Sequence, residues 1–211
     1  MTTEKWKVTL PKPTLIAGMG WLAAGKSTTF AGIVERVEDA VNIKKDVIND
    51  ALRWEPIDPS RDNPASYQRE RGTTWERNTP YFLQHVCMQS YECMLQIGLS
   101  LLEQGKHPIL EGDFGRMIGG GYFDTVVLPA IRRAGKDIAF KIVYVAAPVE
   151  VLKERILKRA AAHDKAYAGS DLDAYFAVRP VVPEEVSRYP HYVVWTHQPI
   201  DWARLVQFLA K

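Results

Sequence analysis

The sequence has little of several things at once. Two cysteines are too few for a disulfide framework. Cys87 and Cys93 fall six positions apart on one predicted helix and face different directions, so they read as core thiols. The five histidines show no metal-ligand spacing, and no His–Cys set suggests zinc. No stretch approaches the ~18 uncharged apolar residues that a membrane span needs, and Met1 to Trp6 lacks the apolar core of a signal peptide. Neither sign of charge dominates: 27 Lys and Arg against 25 Asp and Glu leave a net charge of +2, which argues against long nucleic acids and against a membrane surface. Low-complexity runs and internal repeats are absent. With 211 residues, 46% of them hydrophobic, the chain can bury the core of one sizeable domain with room for an inserted lid. These features together fit a cytoplasmic protein.

Against that background one run stands out. Gly20-Trp21-Leu22-Ala23-Ala24-Gly25-Lys26-Ser27 matches the phosphate-binding pattern G-x-x-x-x-G-K-[ST] at every fixed position. Residue frequencies produce such a match by chance in about one chain of this length in a hundred, and its setting lowers that further. Thr14 to Ala17 upstream reads as a buried strand, and Lys26 to Val37 downstream as a helix. Unpaired N–H groups at a helix start, together with the helix dipole, favour an anion there. Gly20, Ala23, Ala24, Gly25, Lys26, Ser27 and Thr28 are the expected nucleotide-contacting residues. Lys26 would neutralise the β and γ phosphates, and the Ser27 hydroxyl would hold magnesium.

Four more apolar runs follow the first: Ala40–Lys44, His107–Glu111, Phe140–Ala146 and His191–Thr196. Val and Ile dominate them, as in parallel strands covered on both faces. Helical patterns lie between them, near 48–55, 78–104, 123–134, 149–162 and 201–210, with Gly105 and Gly135 as helix stops. The alternation predicts an α/β fold of the P-loop NTPase kind: a five-stranded parallel sheet with helices on both faces and ligands at the carboxyl ends of the strands. Two irregular segments break the rhythm. Residues 54–77 read as an acceptor-side cap and residues 163–183 as an ATP-side lid. Arg61, Arg69, Arg71, Arg77 and Arg116 are candidates for binding an acidic acceptor, and Trp54, Tyr67, Trp75 and Tyr81 gather around the cap, although such aromatics more often simply pack.

Taken with three further elements, the glycine run resembles small P-loop kinases of the nucleoside-monophosphate-kinase-like fold, especially their polynucleotide kinase and zeta-toxin branch. The first element is Asn42-Ile43-Lys44-Lys45-Asp46, where the resemblance implies that Asp46 is the general base facing the acceptor hydroxyl. Asp50 competes for that role, and Asp46 could instead cap the next helix. The family often carries an arginine three positions after the aspartate. This chain has Asn49 there, with Arg53 a turn later. The second element, Ile109-Leu110-Glu111-Gly112-Asp113-Phe114-Gly115-Arg116, looks like the zeta-toxin wording Ile-Glu-Gly-Thr-Gly-Arg. It implies metal orientation or acceptor contact for Glu111 and Asp113. The third is the helix that carries Arg155 and Arg159, four apart and therefore on one face. In similar kinases such arginines stack on adenine and stabilise the migrating phosphoryl group. The loop Thr196 to Ile200 would flank the adenine.

The resulting expectation is an ATP- and Mg²⁺-dependent phosphotransferase acting on a hydroxyl of a small molecule, with Lys26, Asp46, Arg155 and Arg159 as catalytic residues and Ser27, Glu111 and Asp113 at the metal. Two alternatives stay open: a kinase of nucleotides, nucleotide-sugars or nucleic-acid ends, and a nucleotide-dependent binding or switch protein.

Overall fold

The computed structural model describes residues 7–52, 79–80, 82–134, 137–159 and 171–211. The cap at 54–77, with its arginines and aromatics, and residues 163–170 of the second irregular segment lie outside the described residues, as do Tyr81 and Gly135. Contacts divide the chain into two units, Met1–Ile43 with Gly98–Lys211 and Lys44–Ile97.

The first unit is built on five strands in the order β2-β3-β1-β4-β5: β1 Thr14–Gly20, β2 Ala40–Lys44, β3 His107–Glu111, β4 Ala139–Ala146 and β5 His191–Trp195. The central strand β1 pairs in parallel with β3 and β4, and β4 in parallel with β5. All seven residues of β1 are buried, as are all five of β3. A strand with neighbours on both edges and helices on both faces has no solvent face, which is why these runs are apolar without alternation. β1 extends three residues past its apolar core because its pairing with β4 continues to Gly20 opposite Val145. The same register sets Gly18 opposite Glu111, so the carboxyl end of β3 meets the end of β1.

Helix α1, Lys26–Arg36, follows β1 and packs Phe30 and Ile33 into the core. α3, Met88–Glu103, ends at Gly105 with φ 76°, the left-handed residue expected of a helix stop. A short α4, Gly115–Gly119, comes after β3. Residues 123–127 then form a wide π turn before α5, Leu128–Arg133. Pro129 accounts for that turn: it donates no N–H and its ring crowds the carbonyl four residues back, so the backbone widens ahead of it. α6 is Val149–Lys158, residues 160–162 of the helix expected there lie outside the described residues, and α8 is Trp202–Ala210.

The second half of the lid segment is not irregular. It holds α7, Leu172–Ala177, whose first turn is capped by the Asp171 carboxylate accepting from the N–H groups of Asp173 and Ala174 at 2.9 and 3.1 Å. A 3₁₀ turn over Glu184–Arg188 follows. An aspartate ahead of Leu172 is an N-cap signal in the sequence, outweighed there by the prolines and glycine around it.

The second unit contains α2, Lys45–Leu52, a π-helical stretch Phe82–Cys87 and most of α3. α2 begins three residues earlier than its sequence pattern suggests, because β2 runs into it without a loop. Asp46 therefore sits in its first turn, where the dipole favours a carboxylate. The Lys45 ammonium lies 5.3 Å from the centre of the Tyr91 ring. Cys87 and Cys93 are both free thiols.

Candidate active site

Chain geometry at the end of β1 admits few residues besides glycine. Gly20 has φ 145°, and a Cβ there would lie 2.2 Å from the Val145 carbonyl oxygen. Ala23 and Gly25 also have positive φ, 60° and 95°. The loop thus reverses through left-handed backbone and enters α1 at Lys26. Gly25 is the N-cap and offers no side chain to the first-turn N–H groups, so the amino end of an 11-residue helix carries no internal cap. Lys26 Nζ donates to the carbonyls of Gly20 and Trp21 at 2.9 and 2.8 Å, folding back over the loop.

Ser27, one residue on, points at β3. Its hydroxyl donates to Glu111 Oε1 at 2.7 Å, and Asn42 Nδ2, from β2, donates to Oε2 at 2.7 Å. Glu111 is 7% exposed, so the carboxylate is held on both oxygens by neutral donors. Asn42 was not singled out from the sequence. Alternation along β2 could have placed it on the same side as the glycine run, but nothing marks an asparagine in a strand as a partner of a distant glutamate.

On the other side of the loop, Arg155 works as a tie. Its Nη1 donates to Thr196 Oγ1 at 2.8 Å and to the Ala23 carbonyl at 3.3 Å, and Nη2 donates to the Thr196 carbonyl at 2.8 Å. Thr196 Oγ1 in turn donates to the Ala24 carbonyl at 2.7 Å. One guanidinium therefore fastens the glycine loop to the β5–α8 loop. A cavity of about 860 Å³ opens there, with Ala23, Gly25, Thr28, Arg155, Arg159 and Gln198 in its wall. Arg155 and Arg159 do line the same space, as their spacing predicts. Arg155 spends its donors on the Ala23 and Thr196 carbonyls and the Thr196 hydroxyl, while Arg159, just past the end of α6, is exposed.

Asp113, expected beside Glu111, turns elsewhere. It forms an ion pair with Arg179, a residue the sequence did not single out, from the turn after α7. Asp46 belongs to the second unit: its Oδ1 lies 3.7 Å from Lys45 Nζ and accepts from Asn49 Nδ2 at 3.4 Å, and its side chain is 67% exposed. Among the described residues no three His, Cys, Asp or Glu gather as a metal cluster, and no helix is long and apolar enough to cross a membrane.

A glycine turn between the central parallel strand and a helix, in a 2-3-1-4-5 sheet, defines the P-loop-kinase-like class of α/β folds. One solved structure shares this fold. A Chloroflexus aurantiacus protein, whose designation as a kinase is provisional, superposes with a TM-score of 0.56 over 94% of each chain at 20% identity. A tunicamycin resistance protein from Deinococcus radiodurans matches with a TM-score of 0.47, again over 94% of each chain, at 13% identity. No family model and no curated protein sequence matches the chain.

Proposed function

We propose that this chain is an ATP-dependent phosphotransferase, related to the polynucleotide kinase and zeta-toxin branch, that moves the γ-phosphate of ATP to a hydroxyl of a small molecule. The observation that carries this reading is the Gly20–Ser27 loop, which delivers an uncapped helix start, a lysine and a serine bonded to a buried glutamate to one end of the sheet. The N–H groups of Ala23 to Thr28 would receive phosphate oxygens. Lys26 would exchange the Gly20 and Trp21 carbonyls for the β and γ phosphates, trading neutral acceptors for charged ones. The cavity walled by Arg155, Arg159 and Gln198 has a volume suited to a nucleoside, with Arg155 holding the wall in shape and Arg159 presenting charge at its rim.

Ser27 and Glu111 fit a magnesium ion. The serine hydroxyl spends its proton on Glu111 and keeps lone pairs open, and magnesium commonly takes one or two protein oxygens, with water and phosphate supplying the rest. When bound, the ion would neutralise charge on the transferring phosphates. Glu111 orients the serine, and Asn42 fixes the glutamate. Asp46, exposed in the first turn of α2, would accept the acceptor's proton as the new bond to phosphorus forms. A net charge of +2 favours a small acceptor over a long polyanion.

The test is ATP consumption with product mass across pooled metabolites, nucleosides, nucleotide-sugars and aminoglycoside-type antibiotics, run beside Lys26→Ala. The expected result is one acceptor class gaining a phosphoryl group, with the gain lost in the variant. Near-full activity in Lys26→Ala, or tight ATP binding with no phosphorylated product, would overturn it.

A further inference from the structure

Trp21 occupies a variable place in the glycine run, where nothing in phosphate binding asks for an indole, yet it is only 2% exposed. Its burial comes from one stretch of chain more than 150 positions later. Tyr175 meets it edge-on at 5.4 Å and Phe176 packs at 5.0 Å. The Arg179 guanidinium lies over the ring at 4.1 Å, and the indole N–H donates to the Pro180 carbonyl at 3.4 Å. Aromatic packing, a cation–π contact and a hydrogen bond therefore seat residues 171–183, the strap formed by α7 and the turn after it, on the glycine loop.

Arg179 reaches a second anchor. Its Nη2 pairs with Asp113 in the β3–α4 loop, and its side chain is 13% exposed. The seat is shaped for it: a Cβ on Gly115 would lie 0.7 Å from Arg179 Nη1. Gly115 has no left-handed φ, so space for the guanidinium, and no backbone demand, is what a side chain there would violate. The latch is also incomplete. Arg179 Nη1 and the hydroxyl of fully buried Tyr144 have no hydrogen-bond partner among the described residues. A buried donor left unmade is costly, which offsets part of the ion pair and keeps the strap releasable.

We propose that Arg179 is a positioning residue: it latches the 171–183 strap onto Trp21 of the glycine loop, with Asp113 as its counter-ion. This rests on the nucleotide reading above in one respect. The Trp21 carbonyl that holds Lys26 belongs to the same residue whose ring receives the strap, so seating the strap and setting the lysine are coupled through one residue. Asp113 thereby serves the latch, leaving Ser27 and Glu111 for the metal.

The test uses the full chain in four forms: wild type, Arg179→Ala, Gly115→Ala and the double variant. Amide hydrogen exchange in the ligand-free protein reads the strap at 172–180 and the loop at 20–24. Arg179→Ala and Gly115→Ala are each expected to speed exchange in both segments about 10-fold. The double variant should exchange no faster than Arg179→Ala, because Gly115 matters only through the guanidinium. ATP affinity by calorimetry should fall about 10-fold in Arg179→Ala and recover in part in Arg179→Lys, which restores the charge but not the planar stack. Unchanged strap exchange in Arg179→Ala, or full additivity of the two substitutions, overturns the latch. Strap exchange that rises while ATP affinity stays at the wild-type value overturns its coupling to the loop. If the wild-type chain binds no ATP, the nucleotide reading fails, and the exchange measurement alone decides the latch.

Discussion

Replacing Glu111 with Gln should separate chemistry from stability. The carboxylate accepts one hydrogen bond on each oxygen, both at 2.7 Å, from Ser27 and Asn42. A bond to a charged acceptor contributes about 1.5–3 kcal/mol and a neutral one about 0.5–1.5 kcal/mol, so neutralisation removes about 1 kcal/mol from each. Two effects oppose the loss. The group is 7% exposed, and a neutral amide is cheaper to bury than a carboxylate. In addition, Asn42 Oδ1 is buried without a hydrogen-bond partner among the described residues; a half-turn of the Asn42 amide would offer that oxygen to the new NH₂. The net change should stay within about 1 kcal/mol, a melting shift of about 2–4 °C for a domain of this size. Glu111→Ala, by contrast, strands both donors and should cost about 2–4 kcal/mol. Turnover should fall at least about 100-fold in Glu111→Gln, because the group that orients Ser27 has lost its charge. Thermal melting and ATP-dependent phosphorylation, measured on the same preparations, decide it. Turnover within about threefold of wild type would refute the role of Glu111. A Glu111→Gln protein that melts as low as Glu111→Ala would refute the hydrogen-bond reasoning.

Arg155→Lys should weaken ATP binding by about 10-fold or more, since an ammonium cannot reproduce a fork that reaches Thr196 and Ala23 together; calorimetry showing unchanged affinity would remove Arg155 from the site. Asp46→Asn should lower turnover far more than ATP affinity, and if Asp50→Asn does so instead, the base is Asp50. Tyr189 donates to Asp124 at 2.8 Å, and burial first, then that bond, holds its hydroxyl pKa up at about 12. A phenol whose folded pKa is raised contributes stability that is complete below about pH 10 and is lost as pH climbs through about 12. Tyr189→Phe should therefore flatten the decline in melting temperature between those limits, and parallel curves for the two proteins would contradict the shift.

Much of the molecule was legible in local pattern. β2 and β3 have the bounds their apolar runs suggest: β3, flanked on both edges, is buried throughout, whereas the edge strand β2 keeps partly exposed positions at Val41 and Asn42 and an exposed Lys44. The glycine turn was legible because left-handed backbone and close approach to the neighbouring strand restrict the residue type at Gly20 and Gly25 themselves. The π turn before Pro129 was not read, since helical periodicity blurs over a single widened turn. Nor was α7, hidden in a segment rich in turn residues.

What the sequence by itself determined is the order of strands and helices and the identity of the glycine loop, since each depends on neighbours within a few positions. What only the tertiary structure decided is partnership. That Glu111 takes Ser27 and Asn42, that Arg155 ties two loops, and that Asp113 answers Arg179 all depend on which strands lie side by side in the 2-3-1-4-5 sheet. A charged side chain carries no record of its partner in the residues beside it. The pairing is set by chain crossings that bring together positions 69, 84, 41 and 66 apart.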